Sequence, residues 1–235
     1  MDSLLYFLWI SLTLSLSIVW IVRRSSSLKF PRDLALELMG WLLIAIPLGA
    51  RLLHVLYEQP SYYSENPIRV LEVWNGGFVY YGGLLAGLLA AALFFRTHRD
   101  RTFLQTADFL SPVLSIGSGF GRFACFLQGC CYGHEWTGLL SIRGRHPTQL
   151  YQMFWDLGVG LLLLKLERTK SNKEGRQFAL WLLLSGAGRF FIEFFRNDFR
   201  GHFLGGFSIS QWIGLGIMVL GFVILNSRRS AIRKI

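Results

Sequence analysis

Charge is missing from the longest apolar runs of this chain, and that absence excludes a water-soluble fold before any motif is read. Leu4–Val22 and Ile213–Leu225 contain no Asp, Glu, Lys or Arg, and a bilayer-spanning helix needs about 20 predominantly apolar residues of this kind. Charged residues make up 16% of the 235, against 52% hydrophobic and 15% aromatic. The first run also lacks a basic segment ahead of it and is followed by Arg23 and Arg24, which argues for a span over a cleaved signal peptide. No internal repeat is detectable, which argues against a transporter built on inverted repeats. Nor is there a low-complexity segment. Cysteines are few: Cys125, Cys130 and Cys131. Zinc needs three or four ligands at workable spacing, and adjacent cysteines are awkward partners, so no metal is expected. The three are read as small, polarizable wall residues, with a Cys125–Cys130 disulfide as the alternative in an oxidising exterior.

What is present is a series of apolar segments of spanning length. Seven candidate spans lie at Leu4–Val22, Ala35–Tyr57, Phe78–Phe95, Phe103–Leu127, Gln149–Leu166, Phe178–Phe195 and Ile209–Leu225, which predicts an all-α membrane protein of one domain covering 1–235. The formal net charge of +10 would suggest a nucleic-acid binder if the basic residues were clustered, but they alternate by loop. One set of connections carries Arg23, Arg24, Lys29, Arg32, Arg96, Arg99, Arg101, Arg168, Lys170, Lys173, Arg176, Arg228, Arg229, Arg233 and Lys234. The other carries Arg69, Arg143, Arg145, Arg196 and Arg200. Fifteen against five predicts the N-terminus outside and the C-terminus in the cytoplasm. The basic residues thus mark orientation and contact with anionic membrane lipid, and no nucleic-acid partner is expected.

Arginines inside such spans are costly, at least about 2.5–3.5 kcal/mol each on insertion scales, and so mark interior or watery functional paths. Arg122 sits in Gly117–Gly133, a glycine-rich segment in which Gly117 and Gly121 have the small-xxx-small spacing of helix contacts. Past Gln128 the Gly-Cys-Cys-Tyr-Gly run reads as loop or broken helix, a cavity wall. Arg189 follows Gly186-Ala187-Gly188, with Glu193 and Arg196 on the same face. The pattern fits a structural ion pair, or a guanidinium fork for a phosphate bound from within the bilayer.

Arg51, His54 and Glu58 share a helical face, suited to snorkelling, to an interhelical ion pair or to lipid phosphate. Tyr80 reads as an interface anchor, whereas Tyr81, beside Gly82-Gly83, can present its phenol to a ligand. Asp108 is placed to favour the N-terminus of its own helix. Gln149, Tyr151 and Gln152 put polar groups at the outer mouth of the bundle.

Four ordered motifs make the likeness specific. Gly-Arg-x-x-x-Phe-x-x-Gly with a closing glycine (Gly121–Gly133), Tyr-Gly-Gly-Leu-x-x-Gly (Tyr81–Gly87), His-Pro-Thr-Gln-Leu-Tyr (His146–Tyr151) and Gly-Arg-Phe-x-x-Glu-Phe-x-Arg (Gly188–Arg196) resemble those of the bacterial prolipoprotein diacylglyceryl transferase family. The resemblance covers nearly the whole chain. It implies a multi-pass enzyme of the bacterial cytoplasmic (inner) membrane that moves the diacylglyceryl group of phosphatidylglycerol onto the lipobox cysteine of a prolipoprotein signal peptide. A thioether forms, glycerol phosphate leaves, and no cofactor or metal is needed. Carried over by motif, Arg122 and Arg189 are the electrostatic stabilisers of the phosphate leaving group, with Tyr81 as the third catalytic candidate. Arg51, Gly82, Gly83, Gly121, Cys125, Gln128, Gly133, His146, Gln149, Tyr151, Glu193 and Arg196 are the expected substrate-binding positions.

The chain departs from that pattern in an informative way. Ala124, Cys125, Gln128 and Cys130 stand where the family usually has Gly, Asn, Asn and Glu, Tyr81 stands for a histidine, and Ser185 for a tyrosine. A phenol with an ordinary pKa near about 10 is a poor base at neutral pH unless an arginine lowers it. Tyr81, His134, His146 and the substrate itself are the alternatives for handling the thiol proton. Two other readings accompany the transferase: a same-fold enzyme with a different acceptor or donor, and a non-catalytic protein that binds anionic lipid or lipoproteins.

Overall fold

The computed structural model describes residues 3–28, 30–73, 76–98, 103–167, 174–197 and 204–230. Among them the regular structure is helical, and the only strand-like pairings are isolated bridges in the connections. The long helices are α1 (Ser3–Leu28), α2 (Arg32–Leu53), α4 (Tyr80–Thr97), α5 (Phe103–Gln128), α6 (Thr148–Glu167), α7 (Arg176–Glu193) and α8 (Ile209–Ser230), and the short α3 (Pro60–Glu65) lies in the second connection. Each apolar segment predicted as a span falls on one of the seven long helices.

Among the described residues four helices are long and apolar enough to cross a membrane, Leu5–Leu28, Arg32–Glu58, Phe103–Gln128 and Ile209–Ser227, and Gly82–Thr97 is a shorter apolar helix. The physical reason that α6 and α7 fall short is what they carry inside. Gln149, Gln152 and Asp156 on α6, and Gln177 and Glu193 on α7, are all buried, so polar residues face protein while Phe154, Leu161, Leu162 and Phe191 face outward. Large apolar side chains are exposed along α1, α2, α4 and α8 as well, including Leu8, Leu16, Ile44, Leu48, Leu85, Leu89, Val219 and Phe222. Apolar surface on this scale is untenable in water and is ordinary in lipid.

The chain divides into two compact units, one of Ile21–Phe103 and one of Met1–Trp20 with Leu104–Ile235. In the first, α2 and α4 cross through glycines. A Cβ on Gly82 would lie 2.6 Å from the Leu53 Cβ, and one on Gly83 would lie 3.2 Å from the Ile46 carbonyl, so only glycine permits this approach. The helix α2 then loosens into a π turn, His54–Glu58, closed by the Gln59 amide on the His54 carbonyl at 3.2 Å, and His54 Nδ1 meets Glu58 Oε2 at 2.6 Å.

In the second unit α7 and α8 cross where a Cβ on Gly186 would meet the Gly214 carbonyl at 2.7 Å. In α5 the close-packed glycine is Gly119, whose Cβ would stand 3.1 Å from the Met153 carbonyl of α6. Gly121 has nothing within 4 Å and Gly117 only the Ser17 hydroxyl at 3.5 Å. The small-xxx-small pair read from the sequence is therefore not where α5 packs most tightly; the face that meets α6 is offset by half a turn.

Asp108 also departs from expectation. Instead of serving its own helix, its carboxylate accepts the Gly175 amide at 2.6 Å and the Phe178 amide at 2.7 Å, capping α7. Gly175 adopts φ +81, a left-handed conformation that suits glycine. The orphan amides at the start of α7 thus find an anionic acceptor from a neighbouring helix.

Candidate functional site

The loop that closes the Gly121–Gly133 motif, called the signature loop, begins where α5 ends at Gln128. Gly129, at φ +75, donates its amide to the Phe126 carbonyl at 3.1 Å, and Cys130 donates to the Cys125 carbonyl at 3.2 Å. These two bonds are a Schellman cap. In that motif the residue after the glycine normally makes an apolar contact with the helix residue five positions earlier, and here the pair is Cys130 and Cys125. The next residue, Cys131, has φ +64. The three thiols are free, and their sulfurs lie within 4.8 Å of one another.

The N-terminus of α6 holds this loop. Thr148 Oγ1 donates to the Cys131 carbonyl at 2.7 Å, and Gln149 Nε2 donates to the Cys130 carbonyl. The Gly133 amide donates to the His146 carbonyl at 2.9 Å, and the His134 amide to the Phe195 carbonyl at 2.9 Å. A Cβ on Gly133 would lie 2.8 Å from the His146 Cβ and 2.9 Å from the Thr148 methyl. Gly133 therefore closes the loop because nothing larger fits. His146 is stacked on Trp136 with ring centroids 4.9 Å apart, and its Nδ1 is 3.1 Å from the Tyr151 hydroxyl.

On α7 the predicted charge cluster forms. An Arg189 terminal nitrogen is 2.9 Å from Glu193 Oε2 and donates to Ser210 Oγ at 2.9 Å. Arg196 Nε is 3.7 Å from the same carboxylate oxygen, and Ser208 donates to the other at 3.1 Å. Arg196 also reaches Cys131, whose thiol is held well below its ordinary value, first by the Cys125 and Cys130 thiols and then by that guanidinium. The Cys130 thiol is pushed up by the Cys125 and Cys131 thiols and by burial. The proton is thus held least tightly on Cys131, the thiol nearest the Arg196 guanidinium.

Arg122 stands apart from these pairs. It is half-buried, and among the described residues its guanidinium has no hydrogen bond and no ion pair at contact distance. It acts on Cys125, Tyr6 and Asp156 through its field alone. Gln128 is exposed at the helix end, and Gly121, one residue before Arg122, borders open space.

Sequence reasoning passed over Asp156. Its carboxylate accepts Gln152 Nε2 at 2.8 Å and Ser118 Oγ at 2.9 Å, and Ser115 donates to its backbone carbonyl at 2.8 Å. An acidic residue four positions after a glutamine within an apolar run was the available signal. Ser210, now seen on Arg189, carries no charge and gave no such signal.

The remaining predicted residues belong to the unit Ile21–Phe103. Arg51 is buried, and its five N–H donors all go to backbone carbonyls of the following connection. Nε binds Val70 at 3.1 Å, and the terminal nitrogens bind Arg69 at 2.8 Å, Glu72 at 3.2 Å, Gly77 at 3.3 Å and Gly76. The full donor set of a guanidinium is used, which makes Arg51 the post that holds 69–72 and 76–77. A recess of about 290 Å³ lies beside it, lined by His54, Tyr62, Tyr63 and Arg69 among others. Gly82 and Gly83 sit in the α2–α4 crossing. Tyr81 opens α4, and its side chain lies outside the described residues, as do Lys29, Arg99, Arg101, Arg168, Lys170, Lys173, Arg200, Arg233 and Lys234 of the charge pattern.

A half-buried arginine in an apolar helix, without an ion partner among the described residues and one position from the open space at Gly121, is equipped to receive an anion. Residues 4–227 match the family described as prolipoprotein diacylglyceryl transferase. The phosphatidylglycerol–prolipoprotein diacylglyceryl transferase of Bordetella avium is 32% identical over 207 residues, covering 83% of this chain and 78% of the relative. That of Oleidesulfovibrio alaskensis is 32% identical over 234 residues, covering 91% and 87%, and that of Nitrosomonas europaea 31% over 234 residues, covering 95% and 83%. On this match the chain belongs to the prolipoprotein diacylglyceryl transferase family.

Proposed function

We infer that this chain is a membrane transferase that moves the diacylglyceryl group of phosphatidylglycerol to the lipobox cysteine thiol of a prolipoprotein signal peptide. The names of its relatives carry the donor and acceptor classes. The observation that supports a working site here is Arg122, half-buried and without an ion partner among the described residues. Sulfur attacks the terminal glyceryl carbon, the S–C bond forms as the C–O bond to phosphate breaks, and the electron pair leaves on the phosphate oxygen as glycerol phosphate. Negative charge grows on that oxygen in a poorly solvated space, where fixed guanidinium charge lowers the barrier. Arg122 binds the phosphate, and Arg189, held by Glu193 and Ser210, presents a second charge. Gly121, Gln128 and Cys125 line the approach; His146, Gln149, Tyr151 and Gly133 support the loop. Gly82, Gly83 and Tyr81 keep their places through the Tyr81–Gly87 motif, and Arg51, its donors all on backbone carbonyls, acts by shaping the connection after it.

All seven long helices cross the bacterial inner membrane in this reading, as one multi-pass domain with the N-terminus outside. The signature loop then faces the side on which secreted precursors emerge. The test is a defined assay of purified protein, phosphatidylglycerol and a lipobox peptide, with the diacylglyceryl thioether detected by mass. Product from wild type and none from Arg122→Ala supports the reaction. Phosphatidylglycerol bound through Arg122 without any thioether would give the fold a different acceptor or a binding role alone.

A further inference from the structure

We propose that Cys131 and Cys125 form a disulfide-exchange centre that frees a lipobox cysteine blocked as a mixed disulfide, and so hands the transferase its acceptor sulfur. This second activity rests on the transferase reading, in which the acceptor is itself a thiol. Three observations carry it. The thiols of Cys125, Cys130 and Cys131 are free and partly exposed, their sulfurs lie within 4.8 Å of one another, and the Arg196 guanidinium stands beside Cys131. A disulfide was one reading of these cysteines in the sequence, with Cys130 as the partner of Cys125; the folded loop favours Cys131 in that place.

Cys131 is set up as the attacking sulfur. Its left-handed φ of +64 turns it out of line with Cys130, and Thr148 fixes that turn by donating to its carbonyl at 2.7 Å. The Cys125 and Cys130 thiols and the Arg196 guanidinium loosen its proton, and the thiolate is the form that attacks a disulfide. Cys125 is the resolving sulfur. The Cys130 amide on the Cys125 carbonyl at 3.2 Å folds the loop back over the last turn of α5, and rotation about the Cα–Cβ bonds closes the remaining gap between sulfurs to about 2.0 Å. Cys130 is a poor resolver for its neighbour, because adjacent Cα atoms stand about 3.8 Å apart across a trans peptide and a disulfide spans about 4.4–6.8 Å. Its thiol donates to the Cys125 carbonyl at 3.5 Å and keeps its proton.

The Cys131 thiolate attacks the blocking sulfur of the mixed disulfide. That S–S bond breaks, a new one forms between Cys131 and the blocking group, and the acceptor sulfur leaves with the electron pair as a thiolate. Cys125 then attacks the Cys131 sulfur, its proton passes to the departing blocking group, and a Cys125–Cys131 disulfide remains. Two protein sulfurs are oxidised and the acceptor disulfide is reduced to one thiol and one thiolate, so no further reductant takes part. Each chain completes one turnover until an external dithiol reopens the bond. The acceptor emerges already ionised, ready to attack the glyceryl carbon without a side-chain base. That suits a chain with the phenol of Tyr81, whose ordinary pKa near about 10 makes a poor base at neutral pH.

The full chain, purified in detergent, reduced and then freed of reductant, is mixed with phosphatidylglycerol and one of two peptides. One is a lipobox peptide with a free cysteine, the other the same peptide joined through that cysteine to glutathione. With the blocked peptide, wild type should release one glutathione and form one thioether per chain, and peptide mapping should then find the Cys125–Cys131 disulfide. Cys131→Ser should lose glutathione release to background while lipidating the free-thiol peptide at the wild-type rate, which also reports that it folds. Cys125→Ser should trap glutathione on Cys131, seen by mass. Undiminished release by Cys131→Ser, no release by wild type, or release without a Cys125–Cys131 disulfide in the wild-type chain overturns the proposal, and lipidation of the free-thiol peptide would leave the transferase reading intact. Glutathione released through Cys131, with no thioether from either peptide, would instead count against the transferase reading and keep the exchange centre.

Discussion

Arg189 and Glu193 meet at 2.9 Å on successive turns of α7, and Ser210 of α8 takes the same guanidinium at 2.9 Å. The glutamate is buried, so the pair has a structural side besides the phosphate-stabilising role proposed for Arg189. Replacing Arg189 by Met leaves that carboxylate with the more distant Arg196, at 3.7 Å, and is expected to cost about 1–3 kcal/mol. Adding Glu193→Gln should return most of that stability, because the stranded charge is gone, while transfer stays lost. Thermal unfolding in detergent and the thioether assay read the two sides separately. Recovery of transfer in the double variant would make Arg189 purely structural.

Gly119 and Gly121 lie on the same helix two residues apart and should respond oppositely. A leucine at Gly119 would drive into Leu157 and the Met153 carbonyl, both 3.1 Å from a Cβ there, whereas Gly121 has nothing within 4 Å. Gly119→Leu is expected to destabilise by about 1–3 kcal/mol through overpacking. Gly121→Leu should unfold normally and lose transfer by filling the space beside Arg122. Unfolding midpoints for both, with kcat/KM for Gly121→Leu, check the contrast. Full activity in Gly121→Leu would remove that space from the substrate path.

The carboxylate of Asp108 caps α7 from α5 at 2.6 and 2.7 Å. Asp108→Ala leaves the Gly175 and Phe178 amides without their acceptor and is expected to cost about 1–2 kcal/mol, the upper range for a helix cap. Activity per folded molecule should stay near wild type at low temperature. Loss of transfer without loss of stability would assign Asp108 to the chemistry.

Arg51 bonds five carbonyls between Arg69 and Gly77, and lysine cannot replace it, having three donors and no planar fork. Arg51→Lys is expected to loosen the connection between π turn and α4, with faster proteolysis inside 59–77. The stability cost should be about 1–3 kcal/mol, as for buried carbonyls left unpaired. Unchanged proteolysis would mean the wrapped conformation holds without the guanidinium.

The seven helical segments were legible in the sequence because apolar run length is set by local composition, and the intramembrane arginines because charge in such runs is conspicuous. Local spacing also placed Arg189 with Glu193, and His54 with Glu58, since residues four apart share a helix face whatever the rest of the chain does. Which partner each polar group takes was decided only by tertiary packing. Asp108 capped a different helix, Arg51 turned from lipid or carboxylate to backbone carbonyls, and α5 packed through Gly119 rather than Gly117 and Gly121. Asp156 gained its Ser115, Ser118 and Gln152 partners only when α5 met α6. The cysteines show the division most clearly. Their spacing argued against a joint site, because sequence carries no backbone dihedrals. The folded loop, through one positive φ at Cys131 and one glycine cap at Gly129, brought the three sulfurs together.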